Sequence, residues 1–209
     1  MAPKEHEMLL RGISGSPGIC IGKAYLVDRE GVDVIEKYYI SEDKIKNEIS
    51  RFKNAVKKAK KELAQVIEGL PEELKDQSYI LETHMLLHKD KMLYGKAIEI
   101  IENEKVNAEW ALKEATSRAK AMFANISDPY LRSRSSDVEH VSDCIMRNLV
   151  GVHDLDISNI DKRVILVAHN LSPAETSQIQ LERVKGFITN RGGKASHTSI
   201  IARKLEIPA

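Results

Sequence analysis

The sequence predicts an α/β domain into which an antiparallel bundle of helices is inserted. Three observations carry this reading. Residues 11–40 are rich in glycine and β-formers, residues 41–150 hold amphipathic helical patterns joined by short breaks, and residues 151–209 alternate strand-like and helix-like runs. An opening strand cannot hide its apolar faces alone, and pairing with the later strands solves that. The expected division is 1–40 with 150–209 as one discontinuous α/β domain, and 41–149 as the helical insertion.

The elements follow in order. Gly15-Ser16-Pro17-Gly18 reads as a turn, and Ile19-Cys20-Ile21 and Ala24-Tyr25-Leu26-Val27 read as strand, with a kink or bulge at Gly22-Lys23. Ser41 is placed to cap a first helix whose seam is Ile45, Ile49, Phe52, Val56, Ala59, Leu63 and Val66, spaced alternately by four and three. Gly69-Leu70-Pro71 stops it, and Pro71 opens a second helix carrying Leu74, Ile80, Leu81, Met85, Leu86 and Leu87. A third is expected over 91–103 with Met92, Ile98 and Ile101 inward. Asn107 is placed to cap a fourth through Trp110, Ala111, Met122 and Phe123. A fifth over 131–149 buries Val138, Val141, Ile145 and Leu149, with Gly151 at its C-terminal cap.

In the last zone the run 163–168 reads as a buried strand. Ser172-Pro173-Ala174-Glu175 combines a capping box with proline at the first helical position. Gly186-Phe187-Ile188-Thr189 reads as another strand, Arg191-Gly192-Gly193 as a loop, and 196–204 as a helix. Ile207-Pro208 reads as entry into a further strand, so the α/β domain is expected to continue past Ala209.

Composition narrows the function classes. With 42% hydrophobic and 30% charged residues and a formal net charge of +1, the 209-residue chain has a globular balance and no basic excess for nucleic acid. Its ten aromatic residues are not interleaved with runs of Lys or Arg. Cys20 and Cys144 stand far apart with no C-x-x-C spacing, which disfavours a disulfide framework or a thiolate zinc site and favours a reducing compartment. No apolar run approaches a signal-peptide core or a membrane span, so a cytoplasmic location without membrane or nucleic-acid partners is expected.

The residues around His197 carry the chemistry. Gly192-Gly193 lets backbone approach a ligand closely and adopt positive φ. A helix starting near Ser196 puts unpaired N–H groups and the positive end of its dipole beside residue 197. An imidazole there is held neutral and nucleophilic, and an anionic phosphoryl group on it is stabilised. Lys194 and Arg203 add positive charge if they point inward. The residues alone also fit an ordinary Gly-Gly loop with His197 as a helix cap. His84 and His88 have an i, i+4 spacing that suits a metal, but no acidic residue lies between them; a partly exposed helix face is the blander reading. His6, His140, His153 and His169 carry no motif and read as surface or loop residues.

The run GGKASHTSIIARKLEIPA, 192–209, resembles the phosphohistidine signature of the phosphoenolpyruvate-utilising enzymes, a family that includes Enzyme I of the phosphoenolpyruvate:sugar phosphotransferase system and pyruvate phosphate dikinase. Ala195 departs from it, since the family usually has Thr or Asn there. Ser16-Pro17-Gly18-Ile19 with Gly22-Lys23-Ala24, the strand Ile165-Leu166-Val167-Ala168, Leu171-Ser172-Pro173-Ala174-Glu175-Thr176 and Gly186-Phe187-Ile188-Thr189 are similar to Enzyme I in particular. The resemblance covers nearly the whole chain.

The resemblance implies a swivelling phosphohistidine α/β domain with an inserted helical domain that docks the small carrier protein HPr. His197 would be phosphorylated at Nε2, with Thr176 on the other ring nitrogen, and would pass the phosphoryl group to a histidine of HPr. Gly192, Gly193, Lys194, Ser196 and Arg203 would surround the phosphoryl group. Met85, Leu86, Asp90, Tyr130, Leu131 and Arg134 would face the carrier, whose contact is altered by His88-Lys89-Asp90-Lys91, where the family usually has an acidic cluster. No cofactor is expected in this chain; phosphoenolpyruvate and Mg²⁺ would belong to a C-terminal barrel, through which the full-length protein would form a homodimer. Without the barrel, exchange with phospho-HPr is the expected activity. Other readings are a nitrogen-regulatory Enzyme I paralogue, the swivelling domain of a dikinase, and a non-catalytic partner-binding module.

Overall fold

The structure, a computed structural model, describes residues 9–27, 35–128, 132, 134–151, 160, 162–194 and 196–209. It combines a small parallel sheet with a larger set of helices. The sheet has the order β1-β2-β3, with β1 Lys23–Val27, β2 Val164–Ala168 and β3 Val184–Thr189. Both pairings are parallel, with Lys23 opposite Val164 and Leu166 opposite Phe187. The opening strand thus joins strands about 140 residues later in the chain, as the lone-strand argument requires. The strand expected at 19–21 does not form; the ladder begins at Lys23. Ile19 and Ile21 are 94% and 84% exposed.

The helices are α1 Ile45–Glu68, α2 Ser78–Leu87, α3 Lys96–Glu104, α4 Ala108–Ala124 and α5 Ser135–Val150, followed by α6 Pro173–Ser177 and α7 His197–Lys204. The predicted seam of α1 turns inward: Phe52, Val56 and Ala59 are buried in a core that Ile45 and Ile49 also pack against, and Leu63 is buried in the cluster over the sheet. Pro71 precedes a 3-10 segment, Glu72–Gln77, so it stands at the cap rather than inside the first turn. A π-helical turn, Lys91–Gly95, shifts the expected face of the third helix by widening its register. Leu93 is buried there, whereas Met92 is 37% exposed. Met122, expected inward on the fourth helix, is 58% exposed; small residues, Ala111, Ala115 and Ala119, face the core beside Leu112. Gly151 ends α5 at φ 78°, the left-handed cap that glycine accepts without strain.

Asn107 occupies the cap position of α4 but does not cap it. Its Oδ1 accepts the Tyr38 N–H at 3.1 Å, and its Nδ2 donates to the Glu36 carbonyl and to Glu109. The buried amide therefore fastens the chain around 36–38 to the start of α4. Arg51 adds a second tie, with its guanidinium on both Glu48 and Glu109, and Glu48 also accepts the Ala108 N–H.

Two apolar clusters result. One lies among α1, α3, α4 and α5, and the other covers the sheet with Leu166, Phe187, Ile201 and Ala202. Leu63, Leu70, Leu74 and Leu81 belong to the sheet's cluster, so the helical segment supplies part of that core. The last residues pair without forming a strand: Phe187 N–H donates to the Pro208 carbonyl, and Ala209 N–H donates to that of Ser16.

Candidate active site

His197 is the first residue of α7, at the end of the loop that leaves β3. Several contacts fix that loop. The Asn190 and Arg191 amides donate to the His169 carbonyl, which ties the loop after β3 to the loop after β2. Gly192 has φ 131°, a conformation that demands glycine, while a side chain at Gly193 would meet open space. Ser196 caps α7 by accepting the Ser199 N–H, and the Gly193 carbonyl accepts the Ser196 N–H and the Ser199 hydroxyl. The amides of His197 and Thr198 remain as first-turn donors without an intrahelical carbonyl. Thr198 anchors the turn by donating to the Leu171 carbonyl.

The His197 side chain faces a buried polar group built from α2 and α5. Its Nδ1 lies 3.4 Å from Oδ1 of Asp137, and the same oxygen lies 3.4 Å from Nε2 of His84. Arg134 donates to Oδ2 of Asp137 at 3.0 Å. The His84 ring centroid is 6.1 Å from that of His197 and 6.0 Å from that of His140. His140 in turn meets the Asn170 amide at 2.8 Å, which docks α5 on the loop following β2.

The electrostatics favour a neutral imidazole. Burial is the main force lowering the His197 pKa; Asp137 opposes it, and His84 and Arg134 lower it further. Asp137 stays ionised: burial raises its pKa, but His84, Arg134 and His197 together outweigh that. A carboxylate beside Nδ1 selects the tautomer with its proton on Nδ1 and leaves the Nε2 lone pair available.

The other residues singled out in the sequence divide clearly. Thr176 is fully buried, and its hydroxyl donates to the Ser172 carbonyl one turn back at 2.8 Å; the group against Nδ1 of His197 is Asp137. The capping box at Ser172 forms in both directions. Arg203, six residues along α7, donates to the carbonyls of Gly15 and Lys194, so it braces the loop through its backbone. Ser196 is committed to the helix cap, and Lys194 is exposed in the loop. Arg134, expected on the carrier-facing side, pairs with Asp137 and acts on His197 electrostatically.

On α2, Leu86 is 76% exposed and Met85 packs partly into the sheet's core. Asp90 is exposed, and its side chain accepts the Met92 N–H. Ala195, Tyr130 and Leu131 lie outside the described residues. His84, His88 and His140 are buried, not on an open face or surface; Nδ1 of His88 donates to the His84 carbonyl at 2.8 Å. His169 is exposed, while His6 and His153 lie outside the described residues. The sequence reading missed Asp137, although a signal existed: it shares a helical stripe with Val141 and Ile145, where a charge is out of place.

Among the described residues, no helix is long and apolar enough to cross a membrane. Residues 11–134 match the family described as PEP-utilising enzyme, N-terminal, and residues 160–209 match PEP-utilising enzyme, mobile domain. A phosphoenolpyruvate-protein phosphotransferase of Bacillus subtilis is 40% identical over 201 residues, and one of Buchnera aphidicola is 38% identical over 202. Each alignment takes in 96% of this chain but 35% of the relative, so the chain spans about a third of the length of these proteins. An Enzyme I structure solved by NMR in solution superposes with a TM-score of 0.76 at 35% identity, over 96% of this chain and 81% of that one. The N-terminal domain of a nitrogen Enzyme 1 shares the fold, with a TM-score of 0.62 at 22% identity over 95% and 81%. With both segments matched and a solved relative covered over four-fifths of its length, the chain belongs to the PEP-utilising enzymes and, within them, to the Enzyme I type.

Proposed function

We propose that this chain is the phosphohistidine and carrier-docking portion of a phosphoenolpyruvate-protein phosphotransferase. The observation that carries this is His197 at the start of α7, with the buried carboxylate of Asp137 at 3.4 Å from Nδ1. The lone pair of Nε2 attacks phosphorus, the P–O bond to enolpyruvate breaks, and its electron pair leaves with the enolate oxygen. In the second step the N–P bond to His197 breaks as a histidine nitrogen of HPr bonds to phosphorus in line, and His197 returns to neutral imidazole. Its Nδ1 proton stays in place throughout, facing Asp137.

The chain's own contribution is positioning and charge. The free amides of the first turn and Arg134 favour the phosphoryl oxygens, and Asp137 stabilises the ring as it takes on positive character. Thr176 supports the site from beneath, through Ser172, and Gly192 sets the loop's path. Leu86, Met85 and Asp90 form part of the HPr face. The α/β domain of 1–40 and 150–209 is taken to swivel between HPr and a separate barrel that binds phosphoenolpyruvate with Mg²⁺ and dimerises the full-length protein in the cytoplasm. The match of 11–134, with its helical segment, favours this over a dikinase domain.

The test uses radiolabelled phospho-HPr. The chain takes up an acid-labile, base-stable phosphoryl group, and His197→Ala does not. Equal labelling of the two proteins overturns the assignment.

A further inference from the structure

The polar group beside His197 contains more than an orienting carboxylate needs. His84, Asp137 and His140 are all buried, and one ligating atom of each lies within 4.8 Å of the others. Among the described residues, the buried Nε2 of His84 and Oδ1 of Asp137 make no hydrogen bond, and Oδ1 meets the imidazoles of His84 and His197 at the longer range of an ion pair. The two atoms are 3.4 Å apart. Ligands bound at 2.0–2.1 Å to a tetrahedral ion are separated by about 3.3 Å, so this pair already has the width of one tetrahedral edge.

The scaffold also suits an ion. Asp137 and His140 stand at i and i+3 on α5, and His84 faces them from α2. A carboxylate-x-x-His pair on one helix completed by a residue from a facing helix is the way helical bundles build metal sites. Outer contacts hold the ligands in place. Arg134 binds the second oxygen of Asp137 at 3.0 Å; the Asn170 amide lies 2.8 Å from Nε2 of His140, and with its oxygen turned to that nitrogen it accepts the Nε2–H and leaves Nδ1 to ligate.

We propose that His84, Asp137 and His140 form a site for a zinc-class divalent ion. Two imidazoles and one carboxylate favour zinc and its neighbours over Mg²⁺ or Ca²⁺, which take all-oxygen shells. Arg134 adds a positive charge nearby and weakens any cation, which further selects for an ion that bonds strongly to nitrogen. Three protein ligands leave a fourth position for water. The ion takes Oδ1, the same atom that faces Nδ1 of His197, so a filled site withdraws Asp137 from the phosphorylatable histidine. That consequence rests on the phosphotransfer proposed above; the site itself does not.

The probe is Co²⁺, followed by Zn²⁺, titrated into residues 1–209 with no phosphoryl donor present. One equivalent of Co²⁺ is expected to give the visible absorption of a tetrahedral nitrogen and oxygen site, without thiolate charge-transfer bands, and one equivalent of Zn²⁺ to abolish it. His84→Gln and His140→Gln, each shown folded by circular dichroism, are expected to weaken binding at least tenfold. In the wild-type chain, imidazole NMR shifts on adding Zn²⁺ are expected at His84 and His140. No stoichiometric binding, binding unchanged in both variants, or shifts confined to other histidines overturns the site. Because no phosphoryl group is involved, this outcome is independent of whether His197 is phosphorylated.

Discussion

Oδ1 of Asp137 lies 3.4 Å from Nδ1 of His197, bringing a buried carboxylate from α5 to a histidine that begins α7, 60 residues later. The contact decides which imidazole nitrogen carries the proton. An amide at position 137 could present an N–H to Nδ1 and invert the tautomer. Asp137→Asn is therefore expected to slow phosphoryl exchange with phospho-HPr by roughly 10²-fold. Rapid-quench rates give the comparison, and the His197 ¹⁵N shifts report the tautomer. An unchanged rate with an unchanged tautomer would remove Asp137 from the account.

The two loop glycines are expected to behave differently. Gly192→Ala forces a side chain into φ 131° and costs roughly 1–3 kcal/mol in urea unfolding. Gly193→Ala meets nothing within 4 Å, so its stability stays within about 0.5 kcal/mol of wild type. Equal losses would show that neighbouring contacts, not backbone conformation, dictate glycine here.

How much of this could be read from the sequence follows from how local each cause is. The capping box at Ser172, the seam of α1 and the glycine cap at 151 depend on neighbours within a turn or two, and all form. The glycine loop and His197 were legible for the same reason. Pairing of β1 with β2 was legible because an unpaired strand is unstable alone. Asp137, His84 and His140 come together only through the packing of α2 on α5, and no local spacing encodes that meeting. The π turn before α3 was hidden because Met92 and Leu93 are both apolar neighbours, so the pattern does not tell which of them faces inward.

His88 supplies a pH test of stability. Burial above all lowers its pKa to about 4, with His84 and Lys60 adding to the effect and the bond to the His84 carbonyl opposing it. The unfolded chain protonates His88 near pH 6.5, and the folded chain does so only near 4. Stability is therefore full above pH 6.5 and falls as pH drops from 6.5 to 4. The loss between pH 7 and 5 is about 2 kcal/mol. Urea unfolding of wild type and His88→Gln at both values should show this loss in the first protein and a much smaller one in the second. Parallel curves would assign the acid sensitivity elsewhere.

Asn107 holds the segment around 36–38 to α4 with one accepted and two donated hydrogen bonds while almost fully buried. Asn107→Ala leaves the Tyr38 N–H and the Glu36 carbonyl without this partner. Its expected cost is about 2–3 kcal/mol, more than the roughly 1 kcal/mol of a lost helix cap. A loss of only about 1 kcal/mol, by thermal or urea unfolding, would mean that water replaces the amide.

The central claim is that His197 carries the phosphoryl group on Nε2 and that Asp137 holds the proton on Nδ1. The most direct measurement is ¹⁵N and ³¹P NMR of the chain after treatment with phospho-HPr. The account predicts one phosphorus coupled to Nε2 of His197, with Nδ1 protonated. A phosphoryl group on Nδ1, on another residue, or absent altogether would contradict it.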